Sequence, residues 1–155
     1  MATNKIVLTD ITEASFTITL ASLANGSSRQ GTIISNSGDY PAALIFGKVM
    51  TGTTPTVNTL FEFYLIRSNG TYRDDKAGAA DAAITIRNAF LLGTISVTAD
   101  SDTSYEFVMD TAPLGALGPE WTIAVKNSTG SALNATGSNF DIDYRYYTPD
   151  VQAAA

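Results

Sequence analysis

Apolar and polar residues alternate with a period of two along most of this chain, and no other feature constrains its fold as strongly. In an extended strand successive side chains point to opposite faces, so such alternation builds a sheet with one dry and one wet face. Phe16, Ile18 and Leu20 alternate with Thr17 and Thr19. Phe61, Phe63 and Leu65 share one face, with Glu62, Tyr64 and Ile66 on the other. Ile95 and Val97 face inward with Thr94 and Ser96 outward, and Tyr105, Phe107 and Met109 share a face. So do Trp121, Ile123 and Val125, while Phe140, Ile142, Tyr144 and Tyr146 stand opposite Asp141, Asp143 and Arg145. A run over 29–35 centres on Ile33 and Ile34. Residues 42–50 are almost continuously apolar, which predicts a central strand covered on both faces.

The strands predicted over 15–20, 29–35, 42–50, 60–67, 90–98, 104–109, 120–126 and 139–146 are separated by clusters of Gly, Asn, Ser and Pro. Helix is scarce: 77–83 could make a short turn capped by Asp74 or Asp75, or 83–87 an extra strand. About eight strands in 155 residues predict an all-β fold, an antiparallel two-sheet sandwich of jelly-roll type. No repeat or linker divides it. Residues 15–147 are expected to form the sandwich domain, 1–14 an N-terminal arm and 148–155 a C-terminal tail. The arm holds one apolar triplet, Ile6-Val7-Leu8, and the tail has no pattern. Free ends of this kind are ordinarily disordered, so both are expected to be contact arms held by neighbouring subunits.

Composition then narrows the function. The chain has no cysteine and no histidine. That removes the disulfide framework, the thiol nucleophile, the commonest general base and the commonest metal ligand. Net charge is −6, which disfavours a phosphate backbone or an anionic membrane surface as partner. Charged residues make up only 15%, with Ser, Thr, Asn, Gly and Ala in their place, a composition suited to covered surfaces. The N-terminus carries no secretory pattern, and no segment approaches the ~20 apolar residues of a membrane span.

Several side chains are candidates for chemistry. A glycosidase needs two carboxylates about 5–10 Å apart across a cleft. The glutamates are Glu13, Glu62, Glu106 and Glu120, and Glu62 and Glu106 fall on outward strand positions, as in a solvated face. Of the aspartate pairs, Asp74-Asp75, Asp100-Ser101-Asp102 and Asp141-Ile142-Asp143, the second sits in a loop and best suits calcium, although it lacks further acidic ligands. Trp121 shares a face with Ile123 and Val125 and belongs to the core; Tyr64, Tyr72 and Tyr147 are better placed for a sugar platform or a protein interface. Asn25-Gly26, Asn69-Gly70, Asn127-Ser128 and Asn134-Ala135 are read as turns. No catalytic residue, cofactor site or metal site is assigned.

Three stretches, "SSRQGTIISNSGDYPAALIFGKVMTGTTPT" (27–56), "LLGTISV" (91–97) and "WTIAVKNSTGSAL" (121–133), resemble jelly-roll virion proteins of tailed bacteriophages, especially capsid decoration or cement proteins. The resemblance implies a non-enzymatic structural protein on the outer capsid surface. It would be a homo-oligomer, with a trimer favoured, that bridges subunits of the major capsid protein and binds neither nucleic acid nor membrane. The alternative is a carbohydrate- or receptor-binding sandwich of a tail fibre or baseplate, using Tyr64 and Tyr72.

Overall fold

The computed structural model describes residues 5–10 and 13–152, with side chains described from 13 to 148. The strands are β1 (Lys5–Asp10), β2 (Ala14–Ser15), β3 (Ser28–Gln30), β4 (Ile34–Ser35), β5 (Ala42–Met50), β6 (Leu60–Ser68), β7 (Ala82–Ile84), β8 (Phe90–Ser96), β9 (Ser104–Asp110), β10 (Glu120–Ser128) and β11 (Asp141–Gln152). All pairings are antiparallel. One sheet runs β1-β11-β5-β9, with β2 continuing the β1 edge on β11. The other runs β7-β3-β10-β6-β8, with β4 continuing β3 along β10.

Counting β1 with β2 and β3 with β4 as interrupted strands leaves eight long strands and the short β7. Within each sheet the first of the eight pairs with the last, the second with the seventh, the third with the sixth and the fourth with the fifth. The chain is thus one long hairpin, rolled so that its alternate pairs close into two facing sheets. That is the jelly roll expected from the strand count.

The dry faces meet over the predicted side chains. Phe16, Leu20, Phe61, Phe63, Leu65, Trp121, Ile123, Val125 and Ile142 are buried together, with Ile18, Ile34, Ile95, Tyr105, Phe107, Met109, Phe140 and Tyr144 packed around them. Trp121 is fully buried, edge-on to Phe16 at 5.4 Å and to Tyr144 at 5.3 Å. Its indole Nε1–H donates to Tyr146 Oη at 2.8 Å, so the core's large polar atom is satisfied by another aromatic.

Burial pushes the Tyr146 hydroxyl up to about 12. Tyr64 and Tyr147 also reach about 12, burial being the first cause and a bonded carboxylate, Glu62 or Asp110, the second. All three are raised above an unfolded value near 10. Their contribution is therefore intact below pH 10 and lost as pH rises towards 12. Urea midpoints are expected to hold to pH 10 and then fall, and Tyr147→Phe should soften the fall.

Four expectations need correction. Residues 16–20 alternate as predicted but form no ladder, because the segment crosses between the sheets. Phe16 N–H donates to Ile142 O in one sheet, and Thr17 O accepts from Thr32 N–H beside the other. The strand over 42–50 is central in its sheet but covered on one face only. Ala43, Ile45 and Val49 are buried, whereas Leu44, Phe46, Lys48 and Met50 on the outer face are half-exposed. The short turn falls at Asp74–Lys76, not 77–83, and the extra strand is Ala82–Ile84.

The sandwich boundary placed at residue 147 lies inside β11. That strand pairs with β5 as far as Tyr147↔Ala42 and continues to Gln152, paired with β1 from Asp10↔Tyr147 to Lys5↔Gln152. Residues 5–9 and 148–152 thus make a two-stranded ribbon beyond the last β5 partner. Residues 1–4, 11–12 and 153–155 of the expected arms lie outside the described residues.

Candidate functional site

At the middle of the long hairpin, residues 69–89 leave the β6–β8 ladder, cross the outer face of the second sheet and pair β7 with β3 at its far edge. The turn expected at Ser68–Tyr72 starts it: Asn69 Oδ1 accepts from Thr71 N–H at 3.0 Å and Tyr72 N–H at 2.7 Å. Asp74 Oδ2 then accepts from Arg67 N–H at 3.0 Å. The Asp75 carboxylate accepts from three successive backbone N–H groups, Arg87 at 2.9 Å, Asn88 at 2.7 Å and Ala89 at 3.0 Å. Asp75 and Lys76 both stand at φ +54°, a left-handed conformation that costs a non-glycine residue about 1–2 kcal/mol. Asp75→Ala is expected to cost about 2 kcal/mol and to expose the amides of 87–89 to hydrogen exchange. Unchanged exchange there would contradict that tie.

Beneath the crossing, Gln30 is buried and fully bonded. Its Nε2 donates to Gly78 O at 2.8 Å and Ala80 O at 2.9 Å, and its Oε1 accepts from Gly78 N–H at 3.1 Å. Ile66, Ala77 and Ala124 form a small buried cluster with Tyr64, Ile84, Ile86 and Ala89 against it. Ile66 stands on the outer face, as alternation predicts. It is buried because the excursion covers it, for which apolar Ile66 and Ala124 at outward positions were the signal.

Two open clefts flank the crossing segment. One, of about 550 Å³, is bounded by Gln30, Arg73, Lys76, Ile84, Arg87 and Asn88. The other, of about 430 Å³, is bounded by Ser28, Tyr64, Ile84, Ile86 and Lys126. Next to the second cleft, the Glu62 carboxylate accepts from Lys126 Nζ at 2.9 Å, Ser128 Oγ at 2.6 Å and Tyr64 Oη at 2.5 Å. Burial opposes ionisation of Glu62, but those three donors outweigh it and hold the carboxyl below its usual range. Glu62 is therefore anchored as an anion within its own bonds.

The other expected candidates are dispersed. Glu106 is exposed on β9, on the outer face of the opposite sheet from Glu62, so the two share no cleft. Glu120 is paired with Arg73 at 3.0 Å and Glu13 with Arg145 at 3.3 Å. Asp100 accepts from Thr98 Oγ1 at 2.9 Å and Asp102 from Asn134 Nδ2 at 2.7 Å. Asp141 and Asp143 lie on β11, on the outer side of the first sheet. Among the described residues no three acidic side chains gather as a metal would require.

The tyrosines form no common platform. Tyr64 is tied to Glu62 on one sheet, Tyr147 donates to Asp110 at 2.6 Å on the other, and Tyr72 stands 78% exposed at the turn after β6. Besides Val57 in the loop before β6, the large exposed aliphatic and phenyl side chains lie on the edge strands β8 and β9: Phe90, Leu91 and Val108. The Arg67 guanidinium lies 3.9 Å above the Phe90 ring. Alternation misses this edge because Phe90 and Leu91 are consecutive and adjoin an irregularity in the β6–β8 register, where Phe63 pairs with Gly93 but Tyr64 with Leu91. No helix among the described residues is long and apolar enough to cross a membrane. Neither a protein-family model nor a curated protein matches the sequence.

Proposed function

We propose that this chain is a non-enzymatic structural protein of a phage virion, a homo-oligomer that decorates the outer capsid surface and bridges subunits of the major capsid protein. The observation that carries the reading is the ribbon of residues 5–9 and 148–152. A two-stranded ribbon alone is at best marginally stable in water, so it gains most by lying on another surface. Its backbone register pairs Ile6 with Val151 and Leu8 with Pro149. The exposed Phe90, Leu91 and Val108 on the sheet edges are further sticky surface. The carboxylates and tyrosines that an enzyme or a sugar-binding module would use are scattered over both sheets, and Glu13, Glu62, Glu120, Tyr64 and Tyr147 are bonded to neighbours. Many symmetric contacts of this kind reach high avidity without a deep pocket.

Deleting residues 1–8 tests the reading. Attachment to capsids stripped of this protein is expected to weaken at least tenfold, while the sandwich melts within a few degrees of the intact chain. Undiminished attachment, or a sandwich that no longer folds, would contradict it.

A further inference from the structure

The cleft of about 550 Å³ inside the 69–89 excursion is unusual for so acidic a chain. Three of the chain's nine cationic residues, Arg73, Lys76 and Arg87, line it. Outside it, four of the described cations are spent: Arg29 on Asp81, Lys126 on Glu62, Arg145 on Glu13, and Arg67 over Phe90. Among the described Lys and Arg side chains, only those of Lys48, Lys76 and Arg87 make no hydrogen bond, ion pair or ring contact, and two of those three meet here. The one carboxylate in the lining, Asp75, is already bound by the N–H groups of residues 87–89.

The walls are also built to hold this arrangement. Gln30 pins Gly78 and Ala80 from below, Asp75 pins residues 87–89, and Arg73 is anchored to Glu120. Lys76 itself sits in the left-handed conformation, and strained backbone of this kind persists only where its surroundings enforce it. Two unpaired, exposed cations carried on backbone that these bonds hold in place can meet an anion between them.

We propose that this cleft binds a carboxylate-bearing peptide segment of a protein partner, with Lys76 and Arg87 meeting its acidic side chains. No aromatic ring lines the cleft, so it lacks the stacking face on which a sugar would lie. A net charge of −6 opposes a long polyanion such as nucleic acid far more than a short acidic loop. The inference goes beyond the capsid reading, because the cleft would recognise the same chemistry in any protein.

The test is a titration of the full chain with a labelled hexaglutamate peptide, read by fluorescence anisotropy at low salt. An oligogalacturonate and inorganic phosphate serve as the competing arms. Lys76→Asn, which suits the left-handed backbone, combined with Arg87→Gln is expected to weaken peptide binding at least tenfold. Lys48→Gln, which removes an unpaired cation outside the cleft, is expected to leave it within twofold. Circular dichroism melts of both variants confirm the fold, and Arg87→Gln alone, expected to lose at least threefold, serves if the double variant is destabilised. No binding by the native chain, equal losses in the Lys48 control, or tighter binding of oligogalacturonate or phosphate than of the peptide would each overturn the proposal.

Discussion

Trp121→Ala is expected to lower the unfolding free energy by about 3–5 kcal/mol, the range for removing a buried aromatic and leaving a cavity. Domains of this size hold roughly 5–15 kcal/mol in total, so the variant stands close to unfolding at ordinary temperature. The size of the effect follows from where the ring sits. Trp121 is on β10, the central strand of the second sheet, and it packs against Phe16 from the crossing segment and Tyr144 and Tyr146 from the first sheet. It is the point at which both sheets and the connection between them meet. Trp121→Phe retains most of that volume but leaves Tyr146 Oη without its donor, and is expected to cost about 1–3 kcal/mol. The chain has a single tryptophan, so urea unfolding of both variants is best followed by circular dichroism. A loss under about 1 kcal/mol for Trp121→Ala would mean that the two sheets do not pack as described.

Gly47→Ala is the second large effect. Gly47 lies in the middle of β5, opposite Ile142 of β11, with φ at +148°. A Cβ there would stand 1.9 Å from the carbonyl oxygen of Asp141 and 3.0 Å from Cα of Ile142. Both neighbours are backbone within a paired strand, so relief requires the strands to part. Strained backbone and overpacking each cost about 1–3 kcal/mol, which puts the variant at roughly 2–5 kcal/mol. Gly137→Ala is the control, because nothing lies within 4 Å of its added Cβ. It should stay within about 0.5 kcal/mol of the native chain. Equal stability of the two variants in thermal and urea melts would contradict the close approach of β5 and β11.

These two residues also mark how far the sequence could be read. Trp121 was assigned to the core from its neighbours Ile123 and Val125, because a period of two reports directly which face a side chain takes. The same logic recovered the long strands and nearly all of the core. Gly47 could not be interpreted that way: a glycine within an apolar run carries no periodic signal, and the reason for it is the carbonyl of Asp141, far away in sequence. Residues 16–20 alternate like a strand, yet their backbone bonds are shared between two sheets, a tertiary fact that alternation does not contain.

The 69–89 excursion was legible at its ends and opaque between them. Asn69-Gly70 announced its turn. The three N–H groups on Asp75 and the grip of Gln30 on Gly78 and Ala80 join residues 12 to 50 positions apart. The cleft between Lys76 and Arg87 exists only once those ties have closed, so a charge pattern along the chain could not reveal it. The ribbon was not legible: the ends read only as arms, and their pairing with each other depends on the first and last strands of the jelly roll lying side by side.

The assembly reading is tested most directly by asking where the protein resides. Phage particles from the source culture can be separated into heads and tails on a density gradient, and this chain quantified in each fraction by mass spectrometry. The capsid reading predicts many copies in the head fraction, released by mild denaturant before the shell itself breaks. A few copies travelling with tails, or none in any particle, would contradict it.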